Sequence, residues 1–142
     1  MDMSDIRKFN EVNKFKKRGI AITPLKFGIS FTTIHLNQAG ALVHVYTDGS
    51  VRLGHGGTEM GQGLFIKVAQ VVAEVFSIPL NRIILSSTTT SEVPNTSATA
   101  ASAGSDLNGM AAKQAAEALK HRLSEFAARQ FSVDISAVQF AE

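Results

Sequence analysis

Apolar and polar residues alternate along the first half of the chain as they do in β-strands. Strand-like patterns occur at Ile20–Thr23, Phe27–Phe31, Ala41–Tyr46 and Val51–Leu53. The last two are joined by a loop that contains Asp48-Gly49, and an Asp-Gly pair supplies the positive φ angles of a tight hairpin turn. The pattern therefore predicts that the first half of the chain is an antiparallel sheet.

The second half of the chain has helical spacing. Phe65, Val68, Val72 and Val75 predict one helix, and a strand follows at Asn81–Leu85. A longer helix is predicted from a stripe of apolar residues, with Ser105 or Asp106 as its N-cap; the stripe comprises Ala112, Ala115, Leu119, Leu123 and Phe126. The predicted fold class is α+β: an antiparallel hairpin or sheet, then repeated helix–strand units, with layers of helices on a mixed sheet.

A short internal repeat follows the two helices. The segment Phe76–Leu85 aligns without gaps with Phe131–Phe140, and both predict a helix end, a turn and a strand. Chance similarity of two apolar decamers is the alternative. The second strand has barely begun at Glu142, so we expect the natural protein to continue beyond this residue.

Length and composition narrow the class of protein. The 142 residues are 44% hydrophobic and 18% charged, as expected for a soluble globular domain. No apolar run approaches the roughly 20 residues of a membrane span, so we expect no membrane insertion or secretion and a cytoplasmic location. The chain has no cysteine, which excludes disulfides and thiolate ligands, and its four histidines lack metal-ligand spacing.

Basic residues cluster before the first strand-like segment, between Arg7 and Arg18. Phe9, Val12 and Phe15 interleave with them, which predicts a half-buried surface segment with solvated lysines. The alternative is an arm that binds a polyanion. We therefore divide the chain into a basic N-terminal extension, residues 1–18, and a domain, residues 19–142. The net charge of +2 is too small to indicate nucleic-acid binding.

A glycine-rich segment from Gly54 to Gly63 lies between a predicted strand and a predicted helix. Glycine lets a ligand approach the backbone, and the first turn of a helix offers free N–H groups to an anion. This position suits a cofactor, although a glycine-rich turn without a ligand is the alternative. The Gln62 amide suits a polar cofactor, whereas His55 and Glu59 form only a weak acid/base candidate.

A second segment of small and hydroxylated residues, Ser86 to Gly104, leads into the longer helix. Ala100, Ala101 and Gly104 leave its backbone accessible, and Ser102 and Ser105 add hydroxyl donors. These features predict a phosphate or pterin cradle at a helix N-terminus. By composition alone the segment could instead be a flexible linker.

At these two segments the sequence strongly resembles the molybdenum-cofactor-binding subunits of the xanthine oxidase family of molybdenum hydroxylases, xanthine dehydrogenase type. The matching stretches, in order and spacing, are Lys17–Ile20, Lys26–Phe31, Leu36–Ser50, His55–Leu64 and Val93–Ser102. The resemblance implies oxidative hydroxylation of a purine, hypoxanthine or xanthine, to urate. It also implies a molybdenum–molybdopterin cofactor, with FAD and 2Fe–2S clusters in parts of the enzyme outside this chain.

The resemblance also implies the residues that bind the cofactor: Met60, Gly61, Gln62, Ala100, Ala101, Ser102 and Gly104. Gln62 matches the glutamine that hydrogen-bonds the molybdenum oxo group, and no side chain binds the metal directly. Gly104 stands where relatives often have serine, which leaves only a backbone contact. No catalytic residue is expected within this chain, because the family's Gly-x-Gly-Glu motif is absent.

We therefore expect residues 19–142 to be a partial cofactor-binding domain, truncated at its C-terminal end and inactive alone. The implied partners are the remaining domains of the molybdenum subunit, the iron–sulfur and FAD parts, the purine substrate and further copies in an oligomer. Since one wall buries little of a cofactor, we expect weak or no pterin retention. The alternative is a non-catalytic anion-binding or assembly module that uses the same helix N-termini.

Overall fold

The computed structural model describes residues 2–92 and 96–141, so the Val93–Asn95 part of the last matching stretch lies outside the described residues. Its helices and strands are α1 (Met3–Val12), β1 (Ala41–Val45), β2 (Val51–His55), α2 (Leu64–Phe76), β3 (Ile83–Leu85) and α3 (Gly104–Phe131). Single 3₁₀ turns occur at Ile34–Leu36, Leu80–Arg82 and Ile135–Ala137. The predicted α+β class is confirmed.

The three strands form one mixed sheet in the order β1-β2-β3. β1 and β2 are antiparallel, with Val45 opposite Val51, and β3 runs parallel to β2. The predicted hairpin is confirmed, but only Gly49 of its turn has a positive φ, 81°. The Gly49 N–H donates to the Tyr46 carbonyl at 3.0 Å, as in a three-residue hairpin loop that ends in a left-handed glycine.

The two earlier strand predictions, Ile20–Thr23 and Phe27–Phe31, are wrong. The segment forms no strand, and side chains such as Leu25, 90% exposed, project into solvent. Its backbone bond to the rest of the chain is made by the Ser30 N–H, which donates to the Ala101 carbonyl at 2.7 Å. A strand needs a neighbour for its backbone groups, and the described residues provide none here.

Helix α1 lies in the basic extension, where the apolar pattern did not predict a helix. Asp2 caps it by accepting from the Ser4 and Asp5 N–H groups, and the Asp5 carboxylate completes a capping box. Ile6 is buried, and the Arg18 guanidinium stacks 3.7 Å from the centre of the Phe9 ring. The signal that could have revealed this helix is Asp2-x-x-Asp5.

The core lies between one face of the sheet and the pair α2–α3. Val51, Leu53, Val68 and Val72 are almost fully buried there. Small side chains let α3 approach α2 closely, since Ala112 and Ala116 are 0% exposed. The predicted stripe on α3 is wrong at its C-terminal end, because Leu123 and Phe126 are exposed. Helix α3 has 28 residues against 13 in α2 and is therefore about four turns longer.

The internal repeat is confirmed in the backbone. Ser77 after α2 and Ser132 after α3 both adopt a left-handed conformation, with φ,ψ of 55°,47° and 54°,43°. Pro79 (−62°,146°) and Asp134 (−67°,145°) then each precede a 3₁₀ turn. The first unit continues into β3, whereas residues 138–141 form no strand. Among the described residues, no helix is long and apolar enough to cross a membrane.

Candidate cofactor site

A cleft of about 360 Å³ separates the N-terminal ends of α2 and α3. Both helices follow parallel strands, β2 and β3, so both begin at the same edge of the sheet. The lining residues are Met60, Gln62, Leu64, Lys67, Thr99, Ala100, Ser102, Ala103, Gly104 and Ser105. The predicted residues Met60, Gln62, Ala100, Ser102 and Gly104 thus lie together, whereas Gly61 and Ala101 do not line the cleft.

The N-terminus of α2 is occupied by a side chain of the same protein, contrary to the free helix end that we predicted. Oε1 of Glu59 accepts from the N–H groups of Gly61 (2.8 Å) and Gly63 (3.0 Å), and Oε2 accepts from Phe65 (3.0 Å). The bond from Phe65 and those from the glycines lower the pKa of Glu59. The carboxylate therefore fills the position that an anion would take at this helix.

His55 and Glu59 do not form an acid/base pair. His55 is 2% exposed, and its Nδ1 accepts from the Gly57 N–H at 3.1 Å. The Phe65 ring packs edge-on against the imidazole with centroids 5.1 Å apart, and Nε2 has no partner among the described residues. Burial lowers the pKa of His55 and favours the neutral ring. Each of the two side chains therefore accepts hydrogen bonds from backbone N–H groups of nearby residues.

Gln62 is held within its own loop by both ends of its amide. Oε1 accepts from the Met60 N–H at 2.6 Å, and Nε2 donates to the Thr58 carbonyl at 2.9 Å. The flanking Gly61 and Gly63 have φ of 95° and 75°, a region that favours glycine. The amide acceptor is thus satisfied while Nε2 keeps a second hydrogen, which suits donation to a ligand oxygen.

The opposite wall contains a strained turn. Ala101 and Ser102 have φ of 56° and 53°, a conformation that costs an L-residue about 1–2 kcal/mol. Helix α3 starts after this turn with Ala103 as its N-cap and no capping side chain. The predicted N-caps are therefore wrong: Ser105 and Asp106 lie inside the first turn. The N-cap residue Ala103 has no side-chain acceptor to offer the first N–H groups of α3.

Two glycines bring the walls together by close packing. A Cβ on Gly56 would lie 2.2 Å from Thr96 Oγ1, and one on Gly57 would lie 2.5 Å from Leu64 Cδ2. The Thr58 N–H donates to Thr99 Oγ1 at 2.8 Å and links the two loops directly. These glycines are therefore required by packing, which explains part of the glycine-rich motif without a ligand.

The cleft lining fits an anionic group that is rich in hydrogen-bond acceptors. Its donors are the Gln62 amide, the Ser102 and Ser105 hydroxyls and the Lys67 ammonium, and no carboxylate lines it. Lys67 was not predicted as a site residue, although its spacing from Leu64 places both residues on one face of α2. Among the described residues no group of three or more His, Asp or Glu side chains could hold a metal ion.

Comparison with known proteins decides the family. A family model described as a molybdopterin cofactor-binding domain matches residues 2–142. The chain belongs to this family. It is 60% identical over 119 residues to a xanthine dehydrogenase/oxidase of Felis catus, covering 84% of this chain and 9% of that protein. It is 54% identical over 136 residues to xanthine dehydrogenase 1 of Arabidopsis thaliana, covering 93% of this chain and 10% of the relative.

Solved structures share the fold. Quinoline 2-oxidoreductase from Pseudomonas putida 86 superposes with a TM-score of 0.68 at 19% identity, over 73% of this chain and 13% of that one. CO dehydrogenase from Oligotropha carboxidovorans gives 0.67 at 25% identity, over 72% and 13%. The chain thus spans about a tenth of the length of its curated relatives. The comparisons confirm the resemblance to the molybdopterin cofactor-binding domain of xanthine dehydrogenases.

Proposed function

We propose that the cleft between α2 and α3 binds part of the molybdenum–molybdopterin cofactor of a xanthine-dehydrogenase-type enzyme. The reaction would be hydroxylation of hypoxanthine or xanthine to urate. One observation carries this proposal: Met60 and Gln62 line the same cleft as Ala100, Ser102 and Gly104, although the two segments are far apart in sequence. A lining that includes amide, hydroxyl and ammonium donors suits the molybdopterin cofactor that the family's description names.

The two walls have different tasks in this proposal. On the α2 wall, the remaining Nε2 hydrogen of Gln62 donates to a cofactor oxygen, for which the resemblance suggests the molybdenum oxo group. On the α3 wall, the first-turn N–H groups and the Ser102 hydroxyl donate hydrogen bonds to acceptor atoms of the pterin or its phosphate. Lys67 adds a positive charge to the same cleft. The cofactor, when bound, supplies the redox chemistry.

Further protein is needed to complete such a site. Met60 lines the cleft and is 67% exposed, so one side of the cofactor would face away from this chain. We propose that other domains of the molybdenum subunit cover that side, and that the iron–sulfur and FAD parts accept the electrons. The purine substrate would reach the site from that side, in a cytoplasmic oligomer. Catalytic residues would come from these partners, as the missing Gly-x-Gly-Glu motif indicates.

The test uses a chimera in which this chain replaces the matching segment of the Felis catus relative. Molybdenum content and urate formation are measured, and the unsubstituted chimera should retain both. Gln62→Ala should lower turnover roughly 10- to 100-fold, the effect of losing a hydrogen bond to a charged group. Gln70→Ala is the matched control, because Gln70 is an exposed glutamine in α2, outside the loop that contains Gln62. Unchanged turnover of Gln62→Ala at full molybdenum occupancy would contradict the assigned role.

A further inference from the structure

The Glu59 carboxylate accepts three backbone N–H groups, two from the loop Thr58–Gly63, called the cofactor loop below, and one from the first turn of α2. We propose that Glu59 is a positioning residue, whose carboxylate fixes the loop from Thr58 to Gly63 in the shape that presents Met60 and Gln62 to the cleft. This inference rests on the proposed function, because a positioned loop matters only if the cleft binds a ligand. Glu59 itself does not line the cleft.

The first step of the argument is where the carboxylate binds. Its bonds from Gly61 and Gly63 fall on the two residues that flank Gln62, and the bond from Phe65 ties the loop to the start of α2. Both glycines have positive φ, so the loop reverses direction on either side of Gln62. One carboxylate therefore holds the backbone before and after the residue that faces the ligand.

The second step is that Gln62 completes the same network. Its amide binds the Met60 N–H and the Thr58 carbonyl, which lie on the N-terminal side of the loop. Side chains of Glu59 and Gln62 thus satisfy the N–H groups of Met60, Gly61 and Gly63. If the carboxylate were lost, these two glycine amides would lack their acceptor, and Gln62 would lose the backbone that orients it.

The third step concerns charge. The lowered pKa of Glu59 keeps the carboxylate ionised at neutral pH. Asp2 caps α1 and Glu59 accepts from the first turn of α2, whereas the N-cap residue of α3, Ala103, makes no side-chain cap. The Glu59 carboxylate therefore offsets the partial positive charge at the N-terminus of α2 without entering the cleft.

The loop is tested in the 142-residue chain by amide hydrogen exchange at pH 7. Glu59→Gln removes the charge and replaces one acceptor oxygen by a donor, so the Gly61, Gly63 and Phe65 amides should exchange roughly tenfold faster. Gln70→Gly, which weakens α2 away from the loop, should speed exchange within α2 and leave Gly61 unchanged. If Glu59→Gln does not fold, Glu59→Asp retains the charge and should show an intermediate increase.

Cofactor retention is then measured in the chimera as molybdenum and pterin content. Glu59→Gln should lower both severalfold, and Gln70→Gly should not. Unchanged exchange of the Gly61 amide overturns the proposal, and so does normal retention in Glu59→Gln when Gln62→Ala loses cofactor. If Glu59→Gln retains cofactor and turnover although exchange is faster, the positioning role fails. If Gln62→Ala also keeps full turnover at full molybdenum occupancy, the proposed cofactor site fails as well, so the turnover of Gln62→Ala distinguishes the two failures.

Discussion

Gly61 and Gly49 provide a matched test of whether the conformation of the loop Thr58–Gly63 determines how much cofactor is bound. Gly61 in the loop has φ 95°, and Gly49 in the hairpin turn has φ 81°. A Cβ on either glycine would meet no atom within 4 Å, so neither alanine variant creates a clash. The penalty is then the backbone strain alone, about 1–2 kcal/mol for an L-residue in the left-handed region.

We therefore expect Gly61→Ala and Gly49→Ala to lower the free energy of unfolding by similar amounts in urea denaturation of the chain. In the chimera, only Gly61→Ala should lose molybdenum and pterin, because only Gly61 adjoins Met60 and Gln62. Equal cofactor contents in the two variants would refute the reasoning. So would a larger loss of cofactor in Gly49→Ala, since the hairpin turn does not line the cleft.

Three further predictions concern stability. Gly57→Ala should destabilise the chain by about 1–3 kcal/mol in thermal unfolding, because its Cβ would overlap two side chains, whereas Gly28→Ala has open space and should not. Ser132→Gly should stabilise it by about 1 kcal/mol by relieving a left-handed serine, and a loss of stability would contradict the assigned φ. His55 has a pKa lowered by burial, so the unfolded chain binds its proton first and stability should fall as pH decreases below about 6.5. His55→Asn should remove that part of the pH dependence, and an unchanged slope would contradict it.

Local patterns were sufficient for the elements whose signals lie within a few residues. The hairpin follows from alternation on both sides of Asp48-Gly49, and α2 follows from apolar residues at helical spacing. The repeat could be predicted because two ten-residue segments align without gaps, and Ser77 and Ser132, at matching positions, both end helices in a left-handed conformation. Family resemblance, rather than periodicity, indicated the predicted site residues that line one cleft.

Features that depend on a neighbouring strand or on unusual backbone geometry could not be predicted in this way. Alternation at Ile20–Thr23 indicates strand propensity but does not provide the neighbouring strand that pairing requires. The start of α3 depends on the strained turn at Ala101 and Ser102, which no propensity for N-caps describes. Glu59 reaches forward two to six residues to amides of its own loop, so its role depends on backbone geometry and not on spacing along a helix.

The central claim is that the cleft between α2 and α3 holds the molybdopterin cofactor, and a crystal structure of the molybdenum-loaded chimera tests it most directly. The account predicts cofactor density in the cleft, with an acceptor atom within hydrogen-bond distance of Gln62 Nε2 and others at the first N–H groups of α3. Full molybdenum occupancy with this cleft filled only by solvent would contradict it.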